Sequence, residues 1–328
     1  MNKKEIIEVF QMPREQYERE IMKPAFDTLL AHKKGVSAAA MLGYSNICKN
    51  QCLYCGMRAG NHLPKRYRIS AADILELARS AREIGLKRLF LVSGEDPNYP
   101  FDDLLAVIEG ARKMGFAKIS LGAGEFSREQ YRELRAAGLD EYVMKFEMSH
   151  KDTFERLNPS TTFERRNQGI QWIREAGLLL GSGNIVDFPG QSLDELADDI
   201  LLMKELEISW APNIPFMPAA GTPLAVREDG SPSPFGSVDK MHREISLVRL
   251  LLPEADITAQ QPGRERKNGL GDQEGNRDAI RSGGNLLFVD MLPAALAGAF
   301  RVVDNRMLQD LAHVRQTAEA AGAPFVLL

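Results

Sequence analysis

The sequence predicts an α/β protein folded as a (βα)8 TIM-type barrel, flanked by an N-terminal helical extension and a C-terminal helix. Three observations lead there. Eight short apolar runs alternate with longer amphipathic stretches at a spacing of roughly 25 to 40 residues, the rhythm of parallel βα units. No linker rich in Pro, Gly and Ser interrupts residues 38–289. The 328 residues suit a barrel of about 250 residues with appendages. Periodicity does not separate a closed barrel from an open doubly wound sheet, which stands as the alternative.

Ile6, Ile7, Phe10, Tyr17, Ile21, Phe26, Leu29 and Leu30 recur at helical intervals among charges, so the N-terminal segment reads as helices that cap a larger domain. Ala39 to Tyr44 reads as the first strand. A cysteine-bearing loop follows, then a helix opened by Ser70, with Asp73 at its third position. Further strands are expected at 88–92, 117–121, 141–146, 179–186, 209–215, 256–259 and 285–289. The helices between them are expected at 101–114, 127–137, 164–176, 194–206, 238–252 and 276–281. Gly138 and Gly177 stand where left-handed helix caps belong. Past residue 301, Met307, Leu308, Leu311 and Val314 keep helical spacing. The expected organisation is therefore an extension at 1–36, a barrel at 37–300 and a tail at 301–328.

Composition mainly excludes. With 44% hydrophobic and 26% charged residues, the chain is neither disordered nor fibrous. Lys and Arg number 41 against 45 Asp and Glu, a net charge of −4 with the signs interspersed, so no nucleic-acid or anionic-membrane surface is indicated. The charged N-terminus lacks the apolar core of a signal peptide, and no apolar run has membrane-spanning length. A cytoplasmic, reducing location is expected.

The three cysteines, Cys48, Cys52 and Cys55, are packed into eight residues. An odd count so spaced is no disulfide framework. Three thiolates are one short of a structural zinc site, and His62 lies well beyond the loop. A [4Fe-4S] cluster on three cysteines instead leaves one iron open to another ligand. The plainer alternatives are a redox pair at Cys52 and Cys55, or three unrelated thiols.

The stretch YSNICKNQCLYCGMR, with Tyr54 before the last cysteine, resembles the signature of the radical S-adenosylmethionine (SAM) superfamily. The resemblance implies a full or partial (βα) barrel. It also implies a cluster whose free iron chelates SAM, and reductive cleavage of SAM to methionine and a 5′-deoxyadenosyl radical. It extends from about residue 43 to 289. LVSGEDPNY is similar to the turn that holds the SAM amino group, which implicates Ser93, Gly94 and Glu95. MKFEMSHKDTFERLNPSTTFERR implies that Glu147 binds the ribose hydroxyls and that Arg166 binds the SAM carboxylate, for which a guanidinium supplies a two-pronged fork. GSGNIVDFPGQSLDEL and IPFMPAAGTPLA resemble the segments that run along the adenine.

Within the superfamily the series resembles the biotin-synthase-like branch, nearest the group of the iron-only hydrogenase maturation enzyme and more distantly 3-methylornithine synthase. It departs from the maturation enzyme where a substrate would lie. Lys145-Phe146-Glu147 replaces Arg-His-Glu, so a fork becomes a point charge. Gln260 and Gln261 replace paired threonines, and Asp290 stands for an asparagine. Substrate contacts are expected at Lys145, Gln260, Gln261, Asp290 and Arg264, with an altered substrate. Expected partners are a small-molecule substrate and a low-potential electron donor such as ferredoxin or flavodoxin. The absence of further cysteines predicts a single cluster. Rearrangement of a free amino acid and a non-catalytic iron–sulfur scaffold remain the alternatives.

Overall fold

In a computed structural model, residues 1–265, 268–304 and 309–327 are described. The N-terminal segment is helical: α1 (Lys3–Gln11), α2 (Arg14–Tyr17), a π-helical turn (Glu18–Met22) and α3 (Lys23–Lys33). Then come β1 (Ser37–Ser45), α4 (Ala71–Glu83), β2 (Arg88–Ser93), α5 (Phe101–Lys113), β3 (Lys118–Gly122), α6 (Arg128–Ala136) and β4 (Glu141–Val143). The chain continues through α7 (Lys151–Leu157), α8 (Phe163–Glu175), β5 (Leu179–Gly181), β6 (Ile185–Val186), α9 (Leu193–Glu205), β7 (Trp210–Ala211) and β8 (Ile214–Pro215). It ends with α10 (Val238–Leu251), β9 (Asp256–Ile257), α11 (Gln273–Arg281), β10 (Leu286–Asp290), α12 (Ala294–Ala297) and α13 (Leu311–Ala321). Of the residues expected in the tail helix, Met307 and Leu308 lie outside the described residues.

Eight strands form one parallel sheet in the order β10-β1-β2-β3-β4-β5-β7-β9. Its two edges meet at a narrow seam, where Asn285 N donates to Ile257 O at 2.9 Å and Ala259 N to Leu286 O at 2.8 Å. The seam decides for the barrel over the open sheet. Side chains alternate as the pleat requires. Ala38, Ala40 and Leu42 of β1 pack outward against the helices, while Ala39 and Met41 join Phe90, Trp210 and Phe288 in a separate cluster inside.

Two of the expected strands are broken. The run 179–186 divides into β5 and β6, and 209–215 into β7 and β8, because β6 and β8 pair with each other as a small second sheet. The cause lies at the break: Asn213 Oδ1 sits 1.8 Å from where a Cβ on residue 183 would be, so only glycine admits it. The Asn184 amide donates to the same oxygen at 3.3 Å. The fourth strand likewise stops at Val143, short of the expected 146, and α7 occupies a stretch with no expected element.

The floor of the barrel is ionic. Arg88, Lys118, Glu141 and Asp256, at the strand starts, pair as Arg88–Asp256 at 2.5 Å and Lys118–Glu141 at 2.7 Å. Lys33 of α3 adds a 3.0 Å contact to Asp256. Burial alone would raise the Asp256 carboxyl, but the Arg88, Lys118 and Lys33 cations overcome it and hold it well below the usual carboxylate range. Removing one partner of such a pair strands the other in the interior, at a cost of about 3–5 kcal/mol. Arg88→Met should therefore destabilise the protein by about 3 kcal/mol in urea unfolding, whereas Lys4→Met, which breaks the exposed pair with Glu8, should change it by less than about 1 kcal/mol.

Candidate active site at the cysteine loop

The 25 residues between β1 and α4 contain no helix and only an isolated bridge, Ser45 to Arg68, so side chains must hold them. Arg66 does most of this. Its Nη1 donates to Asn46 O at 2.6 Å and Met57 O at 2.8 Å, and its Nη2 donates to Arg58 O and Asn61 O at 2.7 Å each. One guanidinium thus ties the two ends of the cysteine segment together. Asn46, buried, donates to Lys65 O and Ala299 O and accepts from Tyr67 N. Neighbouring loops add backbone bonds, from Leu53 N to Leu157 O and from Gly56 N to Val302 O.

All three cysteines are free thiols and partly buried. Burial pushes each thiol up, Cys55 to about 12, so a positive centre is needed to draw out the thiolates. Among the described residues, no group of three His, Cys, Asp or Glu side chains could hold a single metal ion. Three cysteines on one loop suit a cluster, which spreads its thiolates over separate irons.

Cys52 and Cys55 open onto a cavity of about 310 Å³ enclosed by the barrel's strand ends, together with Tyr54, Lys145, Glu147 and Gln260. Glu147 has φ 63°, a left-handed backbone that costs about 1–3 kcal/mol unless its surroundings enforce it. Here they do: its N–H donates to Gly183 O at 3.0 Å and its carbonyl accepts from Ile185 N at 3.3 Å. Its Oε2 is buried without a hydrogen-bond donor. Lys145 Nζ stands 3.0 Å away as an ion pair, outside hydrogen-bonding geometry. A buried acceptor left open beside two thiols is what a ligand hydroxyl would satisfy, so the residues present suit a cluster with an organic ligand next to it.

The other expected residues surround this centre. Gly94 closes tightly on the cysteine loop, since a Cβ there would lie 2.2 Å from Ile47 O and 2.8 Å from Cys48 Cβ. Ser93 Oγ donates to Gly94 O. Glu95 is engaged by the loop itself, pairing with Lys49 at 2.7 Å and accepting from Asn50 at 2.9 Å. Tyr54 donates its hydroxyl to Asn158 Oδ1 at 2.7 Å. Arg166 is turned to Glu125, 2.9 Å from its Nε, and to Lys145 O. Burial opposes its charge, and Glu125 and Glu147 reverse that and raise its pKa.

The expected substrate contacts divide. Lys145 and Gln260 line the cavity, and the Gln260 Oε1 is buried without a partner. Gln261 does not line it; its amide donates to Asn213 O and Thr258 O, bracing the loop. Asp290 is outside the lining too, its Oδ1 accepting from Leu292 N. Arg264 stands on another face, in grooves shared with Arg14 and His242.

The radical SAM superfamily model matches residues 42–203, the stretch that holds the cysteine loop, the 93–95 turn and Glu147. The [FeFe] hydrogenase maturase subunit HydE of Thermotoga maritima is 34% identical over 279 residues, 79% of this chain and 77% of that protein. This chain belongs to the radical SAM superfamily. A biotin synthase of Stutzerimonas stutzeri is 28% identical over 233 residues, 67% of this chain, and the match spans 62% of that protein's length. The crystal structure of methylornithine synthase (PylB) shares the fold, with a TM-score of 0.83 at 18% identity over 99% of this chain and 94% of that one. As a radical SAM enzyme the protein works with a [4Fe-4S] cluster and SAM.

Behind the cavity of this radical SAM barrel lies a polar network that the sequence did not announce. Asn184 Nδ2 donates to Asp199 Oδ2 and Glu244 Oε2 at 3.1 Å each, and Asn213 Nδ2 donates to Glu244 Oε1 at 2.6 Å. Burial pushes Glu244 up to about 8 and Asp199 to about 6, although the Asn184 hydrogen bonds pull both down. The sequence signal was slight, since Asp199 and Glu244 stand next to other polar residues, Asp198 in α9 and Arg243 in α10. Glu125, the partner of Arg166, was also missed.

Two outcomes follow. Arg66→Met leaves four carbonyls without their donor, so reconstituted protein should bind less than half the iron of the wild type by colorimetric assay. Arg66→Lys, which keeps the charge without the fork, should fall between. Folded Glu244 keeps its proton to about pH 8, whereas an unfolded one loses it near pH 4.3. The native state thus binds more protons between these values, and stability falls as pH rises through that window, by at most about 1.4 kcal/mol per pH unit. Glu244→Gln should flatten this decline between pH 6 and 8 in urea unfolding.

Proposed function

We propose that this radical SAM enzyme is HydE-like in using the barrel interior as a closed reaction chamber for a small substrate. The observation that carries the reading is the convergence of Cys52, Cys55, the Glu147 carboxylate and Lys145 on one cavity. Cys48, Cys52 and Cys55 hold the cluster as thiolates. Bound together, the cluster and SAM supply a 5′-deoxyadenosyl radical by reductive cleavage of the sulfonium.

This chain's residues set the conditions for that chemistry. Glu147 accepts hydrogen bonds from the ribose hydroxyls, and Tyr54 and the turn of Ser93, Gly94 and Glu95 frame the methionine end. Arg166 balances the SAM carboxylate while Glu125 orients it. Lys145 and Gln260 meet the substrate, and Gln261 and Asp290 position the loops behind them. Apolar walls keep water from the radical. The electron comes from a low-potential ferredoxin or flavodoxin in the cytoplasm; no helix among the described residues is long and apolar enough to cross a membrane.

The test is anaerobic reconstitution, reduction with dithionite and chromatography of the products. Wild-type protein should convert SAM to 5′-deoxyadenosine and methionine, and Cys48→Ala should lower the yield at least 100-fold. An inactive wild type with a full cluster would overturn the assignment.

A further inference from the structure

The cavity changes character along its depth. The thiols, Tyr54 and Glu147 lie on loops at the strand ends, whereas Phe90, Trp210 and Phe288 lie within β2, β7 and β10 and form the floor beneath them. Phe90 meets Trp210 edge-on at 4.8 Å between ring centroids, and Phe288 lies 5.8 Å from Phe90 and 5.6 Å from Trp210. This floor offers nothing to an anion, because the Trp210 Nε1–H is already given to Thr258 Oγ1 at 2.9 Å.

Three polar groups remain for a substrate. The Gln260 Oε1 is buried and unpartnered, and the Thr258 hydroxyl keeps its proton to give. Lys145 is the one cation among the described residues that line the cavity. Its ammonium is ion-paired with Glu147 at 3.0 Å, and an ammonium carries three N–H donors, so others remain for a ligand. A first carboxylate can take them. A second would lie against aromatic rings with no cation left to meet it, the costliest kind of burial.

We infer that the substrate of this barrel is a small molecule with a single carboxylate or similar anionic group, and that the rest of it is apolar but for one neutral hydrogen-bond donor. The anion rests on Lys145, one neutral donor meets Gln260, and an alkyl, thioether or aromatic portion packs on the Phe90–Trp210–Phe288 floor. The aromatic floor sets specificity against a second carboxylate, and the Lys145 charge against an amine in the place of the first. The inference rests on the barrel being the reaction chamber of the proposed function and adds the chemical class of what enters it.

Three probes share one eight-carbon chain: octanoate, octanedioate and octylamine. Their binding to the SAM-loaded holoenzyme is measured by anaerobic calorimetry. The site is located by tryptophan emission in a Trp172→Phe background, which leaves Trp210 as the one remaining indole of the chain's two. Octanoate should bind saturably and change Trp210 emission, with octanedioate and octylamine at least tenfold weaker. Lys145→Met should weaken octanoate at least tenfold and bring octanoate and octanedioate to within threefold of each other. Octanedioate or octylamine binding as tightly as octanoate would overturn the inference, and so would octanoate binding that leaves Trp210 emission unchanged or no octanoate binding at all. Deoxyadenosine formation without any probe, measured on the same preparation, reports separately on the radical SAM reading.

Discussion

Three thiols must wait in place on a loop with almost no secondary structure, and the fold around them answers that constraint. Burying irregular backbone is costly unless each carbonyl and N–H finds a partner. Arg66 satisfies four carbonyls from both ends of the cysteine segment, and Asn46 serves three more backbone groups. Gly94 then lets the next strand end press directly on Cys48. Beyond these bonds within the loop, Leu157, Val302 and Ala299 accept from Leu53, Gly56 and Asn46, which fixes the loop against other parts of the barrel.

The barrel separates stability from chemistry along its axis. At the strand starts, Arg88, Lys118, Glu141 and Asp256 bind the floor together and anchor α3 through Lys33. At the strand ends the backbone is interrupted. Asn213, packed on Gly183, turns β6 and β8 away from the main sheet, and the displaced segment holds Glu147 in its left-handed conformation. Strain is concentrated where a ligand would meet the carboxylate, and the ordered half of the barrel supports it.

Much of this was legible in the sequence, and the exceptions have specific causes. The barrel followed from eight apolar runs alternating with amphipathic stretches, and Ser70 at the start of α4 caps its helix as its type predicts, accepting from Asp73 N. The division of two strands was hidden because it depends on one asparagine meeting one glycine 30 residues away. Gln260 and Gln261 were indistinguishable as letters, yet neighbours in extended chain point opposite ways, and only Gln260 faces the cavity. Arg166 reads as a carboxylate fork until Glu125, far off in sequence, is seen to occupy its Nε.

The buried acids behind the site then make sense as a matter of charge. If Asp199 and Glu244 were both ionised, two negative charges would lie close behind the Lys145–Glu147 pair, and Lys145, whose charge acts on Glu244, would be drawn toward them. Burial keeps the proton on Glu244 near neutral pH, while amides of Asn184 and Asn213 still hold its oxygens in place. The network can therefore brace the segment that carries Glu147 without adding a second full negative charge behind it. A neutral Glu244 draws Lys145 less strongly toward the acids behind it, so the burial that shifts one acid also bears on the cation lining the cavity.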